Sequence, residues 1–335
     1  MSERRLLPHH PTSVRIFGYR CFESLRVEPL KRVNVIVGKN DAGKTSLLDA
    51  IEVMLEPGAA TLGRVAERRG EVVGGEGTAA GRTFPDIRYA FFGRPVDGAV
   101  AIRFEYEVGS VRSEIESRRV VDRERQERLL WKSNGTHWED DPLSARASAP
   151  ELRRALYVGS GLLGSTATAA LFGRVSGTVA EAYIVSALQL IEPSVVRLGL
   201  GLSPPQVFVG LAGEPDRFPL GHFGEGMSRL FSLSATLALA FGKVVLVDDI
   251  DTGLHVSAMA KMWRLVLEAT KNLDIQLFAT THSDDCLRGL AAALLELPSH
   301  QSDVTLHRLE RGADKTVAYD GEEIIQSAER DIEVR

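Results

Sequence analysis

The segment from Gly38 to Thr45 constrains the fold of this 335-residue chain more than any other. It reads GKNDAGKT and matches the pattern G-x-x-x-x-G-K-[ST] at every fixed position. Its glycines allow a backbone that a Cβ would forbid, so consecutive N–H groups can surround phosphate oxygens. The apolar run VNVIV precedes the loop, and the stretch SLLDAIEVML after it has apolar residues at helical spacing. Strand, glycine loop and helix together predict a P-loop.

Residues of this loop have distinct expected roles in binding ATP and Mg²⁺. Lys44 places a positive charge against the β and γ phosphates and is a candidate catalytic residue, whereas the Thr45 hydroxyl is a candidate Mg²⁺ ligand. The helix that follows points its N-terminus at the anion. We expect the nucleotide to contact Gly38, Lys39, Asn40, Asp41, Ala42, Gly43, Lys44, Thr45 and Ser46.

Acidic residues follow a second apolar run, VVLV at 244–247. Such a run is typical of a buried central strand that delivers carboxylates to its C-terminal edge. We expect Asp248 to bind Mg²⁺ and Asp249 to act as the base that polarises the attacking water. His282 follows the next predicted strand, in ATTHS, and is predicted to sense the γ-phosphate at the same edge of the sheet.

Another glycine-rich segment, GHFGEGMSRL at 221–230, precedes a predicted helix with an apolar stripe. A glycine-rich helix N-terminus can bind an anion, but the segment can also be an ordinary helix start. The pattern leaves both interpretations open.

Alternation of predicted strands and helices indicates an α/β fold with a largely parallel central sheet and an N-terminal antiparallel β portion. Residues 57–83 are rich in Gly, Ala and Arg and are predicted to form a long surface loop. We divide the chain into the first part of the ATPase core at 12–95, an inserted α+β lobe at 96–215, and the second part of the core at 216–335.

Composition and net charge indicate a globular protein whose overall charge does not attract DNA or anionic membranes. Hydrophobic residues make up 44% and charged residues 25%, which is typical of a globular protein. Forty basic residues against 45 acidic ones, a net charge of -5, provide no general attraction to DNA or to anionic membranes. The N-terminus lacks an apolar signal region and no apolar run reaches the roughly 20 residues of a membrane span, so we expect a cytoplasmic protein without membrane contact.

The ordered set of motifs resembles the soluble ABC-type ATPases of the RecF, SMC and OLD group, and more narrowly the short bacterial ATPase core proteins related to OLD ATPases. The resemblance rests on residues 12–55 and 224–286, about a third of the chain, which contain GKNDAGKT, GEG, VDD and TTHS. It implies an ABC-type P-loop fold and an ATP-dependent homodimer in which two subunits enclose two ATP molecules. By the same analogy Gly224, Glu225 and Gly226 contact the γ-phosphate held by the other subunit.

Some positions depart from this family pattern. Asp249 stands where the group usually has Glu, which shortens the reach of the base by one methylene and can slow hydrolysis. His255 occupies the D-loop position, in the turn after VDD, where transporters carry Asp. No glutamine lies at a plausible Q-loop position. Neither a long coiled-coil insertion nor a Toprim nuclease domain is recognisable, so we expect an effector protein partner to be supplied in trans.

Three functions remain open. The first is an ATP-hydrolysing dimeric switch that controls a partner, in DNA repair or anti-phage defence. The second is an ATP-loaded scaffold with negligible turnover. The third is ATP-dependent DNA binding through the charged segment at 118–128, for which a solvated surface helix is the favoured alternative because its charges nearly cancel.

Overall fold

A computed structural model describes residues 10–73, 84–94, 100–121, 127–140 and 153–330. Within these residues the strands are β1 Ser13–Tyr19, β2 Phe22–Val27, β3 Val33–Val37, β4 Val72–Val73, β5 Phe84–Pro85, β6 Val100–Val108, β7 Val111–Val121, β8 Glu127–Ser133, β9 Thr136–Asp140, β10 Ala155–Val158, β11 Val195–Leu202, β12 Pro205–Leu211, β13 Arg217–Pro219, β14 Val244–Val247, β15 Gln276–Thr280, β16 Val304–Arg308 and β17 Val317–Asp320. The helices are α1 Lys44–Leu55, α2 Ala59–Arg68, α3 Ser165–Gly173, α4 Val179–Leu188, α5 Glu225–Ala238, α6 Val256–Asn272, α7 Asp284–Glu296 and α8 Gly321–Glu329.

The chain forms two compact units, and each draws on three segments. The first contains the described residues of Met1–Leu30, Lys39–Ala155 and Leu309–Val317. The second contains those of Lys31–Gly38, Leu156–Arg308 and Ala318–Arg335.

An antiparallel six-stranded sheet, in the order β2-β1-β6-β7-β8-β9, is the main element of the first unit. Apolar residues alternate along its strands, so one face is buried. On β1 the buried residues include Val14 and Ile16, and Ile16 pairs with the buried Phe104 of β6. Tyr19 packs on the same Phe104, with their ring centroids 5.7 Å apart. This arrangement confirms the predicted antiparallel β portion.

Helices α1 and α2 of the first unit are joined by buried ion pairs. Asp49 of α1 is fully buried. Its carboxylate lies 2.7 Å from Nη2 of Arg68 and 2.6 Å from Nε of Arg69. Nε of Arg20 is 3.6 Å away, and that guanidinium also makes two hydrogen bonds to Glu71. One buried carboxylate therefore organises three arginines around the helix that follows the phosphate loop.

A six-stranded sheet, in the order β10-β14-β15-β3-β16-β17, is the centre of the second unit. β14 pairs parallel with β15, β15 with β3, and β3 with β16. All residues of β3, β14 and β15 are buried, as expected for strands covered on both faces. The carboxyl ends of these strands therefore meet at one edge of the sheet.

Packed helices supply much of the core of the second unit. Leu230, Leu233 and Leu237 of α5 are fully buried, as the predicted apolar stripe requires. Phe241, the fourth residue predicted for that stripe, lies beyond the end of α5 at Ala238 and is exposed. The indole N–H of Trp263 on α6 donates to the carbonyl of Cys286 on α7, at 2.9 Å. The sheet and its helices confirm the α/β fold with a largely parallel central sheet.

Two predictions about local structure are wrong. Residues 59–68, expected within a surface loop, form α2, which buries Leu62 and Val65. Glycines at 58, 63 and 70 obscure its helical pattern in the sequence. The described part of the segment at 118–128, expected as a surface helix, belongs to β7 and β8 because these strands pair with each other. Residues 74–83 and 122–126 lie outside the described residues.

No helix in the described ranges is both long enough and apolar enough to cross a membrane.

We predict that Asp49→Ala lowers the free energy of unfolding by about 3 kcal/mol, because removing one partner leaves buried charges uncompensated. Urea denaturation would measure the change. Glu139→Ala is the matched control, since its partner Arg128 and its own side chain are both about half exposed, and it should cost less than about 1 kcal/mol. Equal effects of the two substitutions would contradict the role assigned to Asp49.

Candidate nucleotide-binding site

The phosphate loop has the strained backbone that its glycines predict. Gly38 and Gly43 have φ of 149° and 100°, a region that favours glycine. A Cβ at Gly43 would lie 2.8 Å from Sγ of Cys21 and 2.9 Å from Cζ of Phe22. The loop therefore requires glycine at this position for its packing as well as for its dihedral angle.

Contacts within the loop hold it in a compact turn. The carbonyl oxygen of Lys39 accepts from the N–H of Ala42 and from Nζ of Lys44, each at 3.2 Å. α1 then begins at Lys44, and its N-cap Gly43 has no side chain to bond the first-turn N–H groups. A helix start of this kind, preceded by glycines, suits the phosphates of a nucleotide. The residues present thus fit the nucleoside triphosphate that the motif implies.

The acids after β14 are positioned by a threonine of the neighbouring strand. The hydroxyl of Thr280 donates to Oδ1 of Asp248 at 2.7 Å, and the N–H of Asp249 donates to the same hydroxyl oxygen at 2.8 Å. Asp248 is buried, with 7% exposure. One side chain of β15 therefore orients both acids of the VDD motif.

Asp249 lies beside His282. Nδ1 of His282 is 3.5 Å from Oδ1 of Asp249, which brings the predicted base and the predicted γ-phosphate sensor together. Burial, and next the charge of Asp248, raise the pKa of Asp249 above the usual value for an aspartate. A carboxylate whose pKa is raised is a better proton acceptor than an ordinary surface aspartate. Asp249 also has a φ of 46°, a conformation that is uncommon for residues other than glycine.

Arg229 was not predicted as a site residue, yet its guanidinium contacts three carbonyl oxygens at this edge. It donates to Gly159, to Asp248 at 2.5 Å and to Asp249 at 2.8 Å. The side chain is 2% exposed, and its burial lowers the pKa of Arg229. Because Arg229 lies on α5, it ties the helix after GEG to the turn that carries the acids. In the sequence, the signal for this role is an arginine within an otherwise apolar helix. The sequence does not reveal its partners, because they lie more than 18 positions away.

The GEG turn packs against the turn that follows the acids. A Cβ on Gly226 would lie 2.6 Å from the carbonyl oxygen of Gly253, and Gly253 itself has a φ of 72°. Beside this contact is an open groove of about 340 Å³. It is lined by the glycines, by Glu225 and His255, and by apolar side chains that include Ile191 and Phe223.

The predicted site residues belong to different units. Lys39 to Ser46 lie in the first unit, whereas Gly38, Asp248, Asp249, His282 and the GEG turn lie in the second. Within the second unit, Gly38, the two acids and His282 follow the carboxyl ends of parallel strands at the same sheet edge.

Two of the arginines in the described part of the segment at 118–128 pair with glutamates. Nε of Arg118 lies 2.6 Å from Glu116, and Nη1 of Arg128 lies 2.6 Å from Glu139. These ion pairs reduce the positive charge available for contacts with DNA phosphates.

Two family models match separate parts of the chain. A family model described as an AAA domain matches residues 13–146. A second, described as an AAA domain, putative AbiEii toxin, Type IV TA system, matches residues 182–287. The DNA replication and repair protein RecF of Cellvibrio japonicus (strain Ueda107) is 48% identical over 54 residues, 16% of this chain. The match spans only 13% of that RecF protein.

Comparisons of structure show the fold of ABC-type ATPase heads. The Smc head bound to the C-winged helix domain of ScpA aligns with a TM-score of 0.61 and 15% identity, covering 95% of this chain and 99% of that one. The Smc head domain with an extended coiled coil, bound to the C-terminal domain of ScpA from Pyrococcus furiosus, aligns with a TM-score of 0.57 and 13% identity, covering 97% and 100%. The sequence and structure comparisons together support an ABC-type ATPase of the RecF and SMC kind; the narrower relation to OLD proteins stays a prediction.

We predict that Arg229→Met lowers ATP turnover by at least about tenfold, because a displaced acid turn loses catalytic geometry. It should also destabilise the chain by about 1–3 kcal/mol through unpaired buried carbonyls. Steady-state hydrolysis and urea denaturation would measure both effects. Arg264→Met is the control, because its side chain is half exposed in a surface pair with Glu296. If Arg229→Met hydrolysed ATP as fast as Arg264→Met, Arg229 would not be the residue that holds the acid turn in its catalytic geometry.

Proposed function

We propose that this chain is an ATP-hydrolysing dimeric switch that controls a partner protein. The observation that carries the proposal is the position of Asp249, which follows a buried parallel strand, has a raised pKa and lies next to His282. These are the properties expected of a base that accepts a proton from an attacking water.

The remaining residues have complementary roles in the proposal. Lys44 and the loop N–H groups bind the β and γ phosphates, and His282 contacts the γ-phosphate. The Thr45 hydroxyl and the Asp248 carboxylate hold Mg²⁺, which usually binds through one or two protein ligands together with phosphates and waters. When bound, Mg²⁺ neutralises charge that develops on the phosphates.

The second subunit completes the site in this proposal. Gly224, Glu225 and Gly226 meet the γ-phosphate held by the partner subunit, so ATP closes a homodimer and hydrolysis opens it. The similarity to Smc heads that bind ScpA supports an effector protein partner, and the short match to RecF supports a context in DNA repair. Anti-phage defence is the other context that the resemblance to OLD-related proteins favours, and a cytoplasmic location is proposed with either.

A scaffold with negligible turnover is the second candidate, because Asp249 has a shorter reach than the usual glutamate. Direct DNA binding is less favoured, since glutamates neutralise Arg118 and Arg128.

The first test compares the wild type with Lys44→Ala and Asp249→Asn. We expect Lys44→Ala to abolish ATP binding, and Asp249→Asn to retain binding but lose at least about 100-fold in turnover, the usual contribution of a general base. Hydrolysis and light scattering with and without ATP would measure turnover and dimerisation. A wild type that dimerises with ATP but does not hydrolyse it would favour the scaffold, and one that does not bind ATP would overturn both.

A second test addresses the trans role of the GEG turn. Gly253→Ala should bind ATP normally but dimerise at least about tenfold less well, because the new methyl group displaces Glu225 and Gly226 and misplaces the contact. Gly242→Ala is the matched control, since it has a similar φ of 65° and open space around its Cβ. Equal dimerisation by the two variants would exclude GEG from the interface.

A further inference from the structure

An acidic residue lies inside the phosphate loop and carries its own counter-ion. Asp41 is the fourth residue of GKNDAGKT, and its carboxylate lies 2.8 Å from Nη1 of Arg311. Its φ is 67°, a region usually taken by glycine and tolerated by aspartate. A negative charge at this position opposes the binding of phosphates by Coulomb repulsion.

The segment that presents Arg311 is anchored independently of this ion pair. The N–H of Arg26 donates to the carbonyl of Asp314 at 2.8 Å, and the N–H of Thr316 donates to the carbonyl of Arg26 at 3.0 Å. Between Arg311 and these contacts is a tight turn in which Gly312 has a φ of 75°. Main-chain bonds to the β2 strand thus hold the turn that carries Arg311 beside the loop.

Stability of the fold does not account for the pair. The side chains of Arg311 and Asp41 are 82% and 77% exposed, and pairs so exposed contribute little to folding. Asp41 belongs to the loop itself, so its charge is the one that lies close to any anion that the loop binds.

We propose that Arg311 is a further nucleotide-site residue that neutralises Asp41 and thereby sets the affinity of the loop for phosphate groups. The inference rests on the proposed ATP binding and adds a positioning residue from a segment 270 positions away in the sequence. Arg311 acts on the nucleotide through Asp41, so its effect depends on the aspartate.

The test measures the dissociation constant of MgATP by calorimetry for the wild type, Arg311→Gln, Asp41→Asn and the double variant. We expect Arg311→Gln to weaken binding by about fivefold at low salt, the scale of an exposed charge interaction, and by much less at about 0.5 M salt. Asp41→Asn should bind at least as tightly as wild type. In that background Arg311→Gln should have little further effect.

Arg112→Gln is the matched control, because Arg112 is an exposed arginine of the same unit that pairs with Glu105. It should leave the dissociation constant unchanged. An unchanged affinity in Arg311→Gln, or an equal loss with and without Asp41, would overturn the inference while leaving ATP binding by the wild type intact. Failure of the wild type to bind MgATP would overturn the proposed function, and the inference with it.

Discussion

Parallel pairing of β14, β15 and β3 is the constraint on which the candidate site depends. Parallel strands place their carboxyl ends at the same edge of a sheet, and here each strand is followed by a polar motif. Strand β3 leads into Gly38 and β14 into the two acids, whereas β15 ends at Thr280 and is followed by His282. The contacts of Thr280 with Asp248 and Asp249 exist because β15 is the direct neighbour of β14. A change in strand order would separate these groups without changing any motif.

Residues close in the sequence made several features predictable. The strand before Gly38, the helix after it and the acids after VVLV all follow from local patterns, and the structure has β3, α1 and β14 at the expected positions. The fold class followed from the alternation of these patterns. Roles of individual site residues stay predictions, because contacts within the protein do not test binding of ATP or Mg²⁺.

Features that depend on distant contacts were not predictable. Glycines near both ends of α2 hide its helical pattern in the sequence. Its Arg68 is paired because α1 presents Asp49 and Glu52 to it. The strands β7 and β8 have the charge pattern of a surface helix, but cross-strand pairing overrides it. The contacts of Arg229 were not predictable because its three carbonyl partners lie in distant parts of the sequence and meet it only in the fold.

Two contacts connect the GEG turn to the acids within one chain. Arg229 joins α5 to the carbonyls of Asp248 and Asp249, and Gly226 lies against Gly253 in the turn that follows them. Both contacts are between closely packed groups, and packed groups transmit small displacements rather than absorb them. In the proposed dimer, a phosphate of the partner subunit that moves the GEG turn would therefore also move the base that acts on the chain's own nucleotide. This connection would couple the two ATP molecules through contacts inside each subunit.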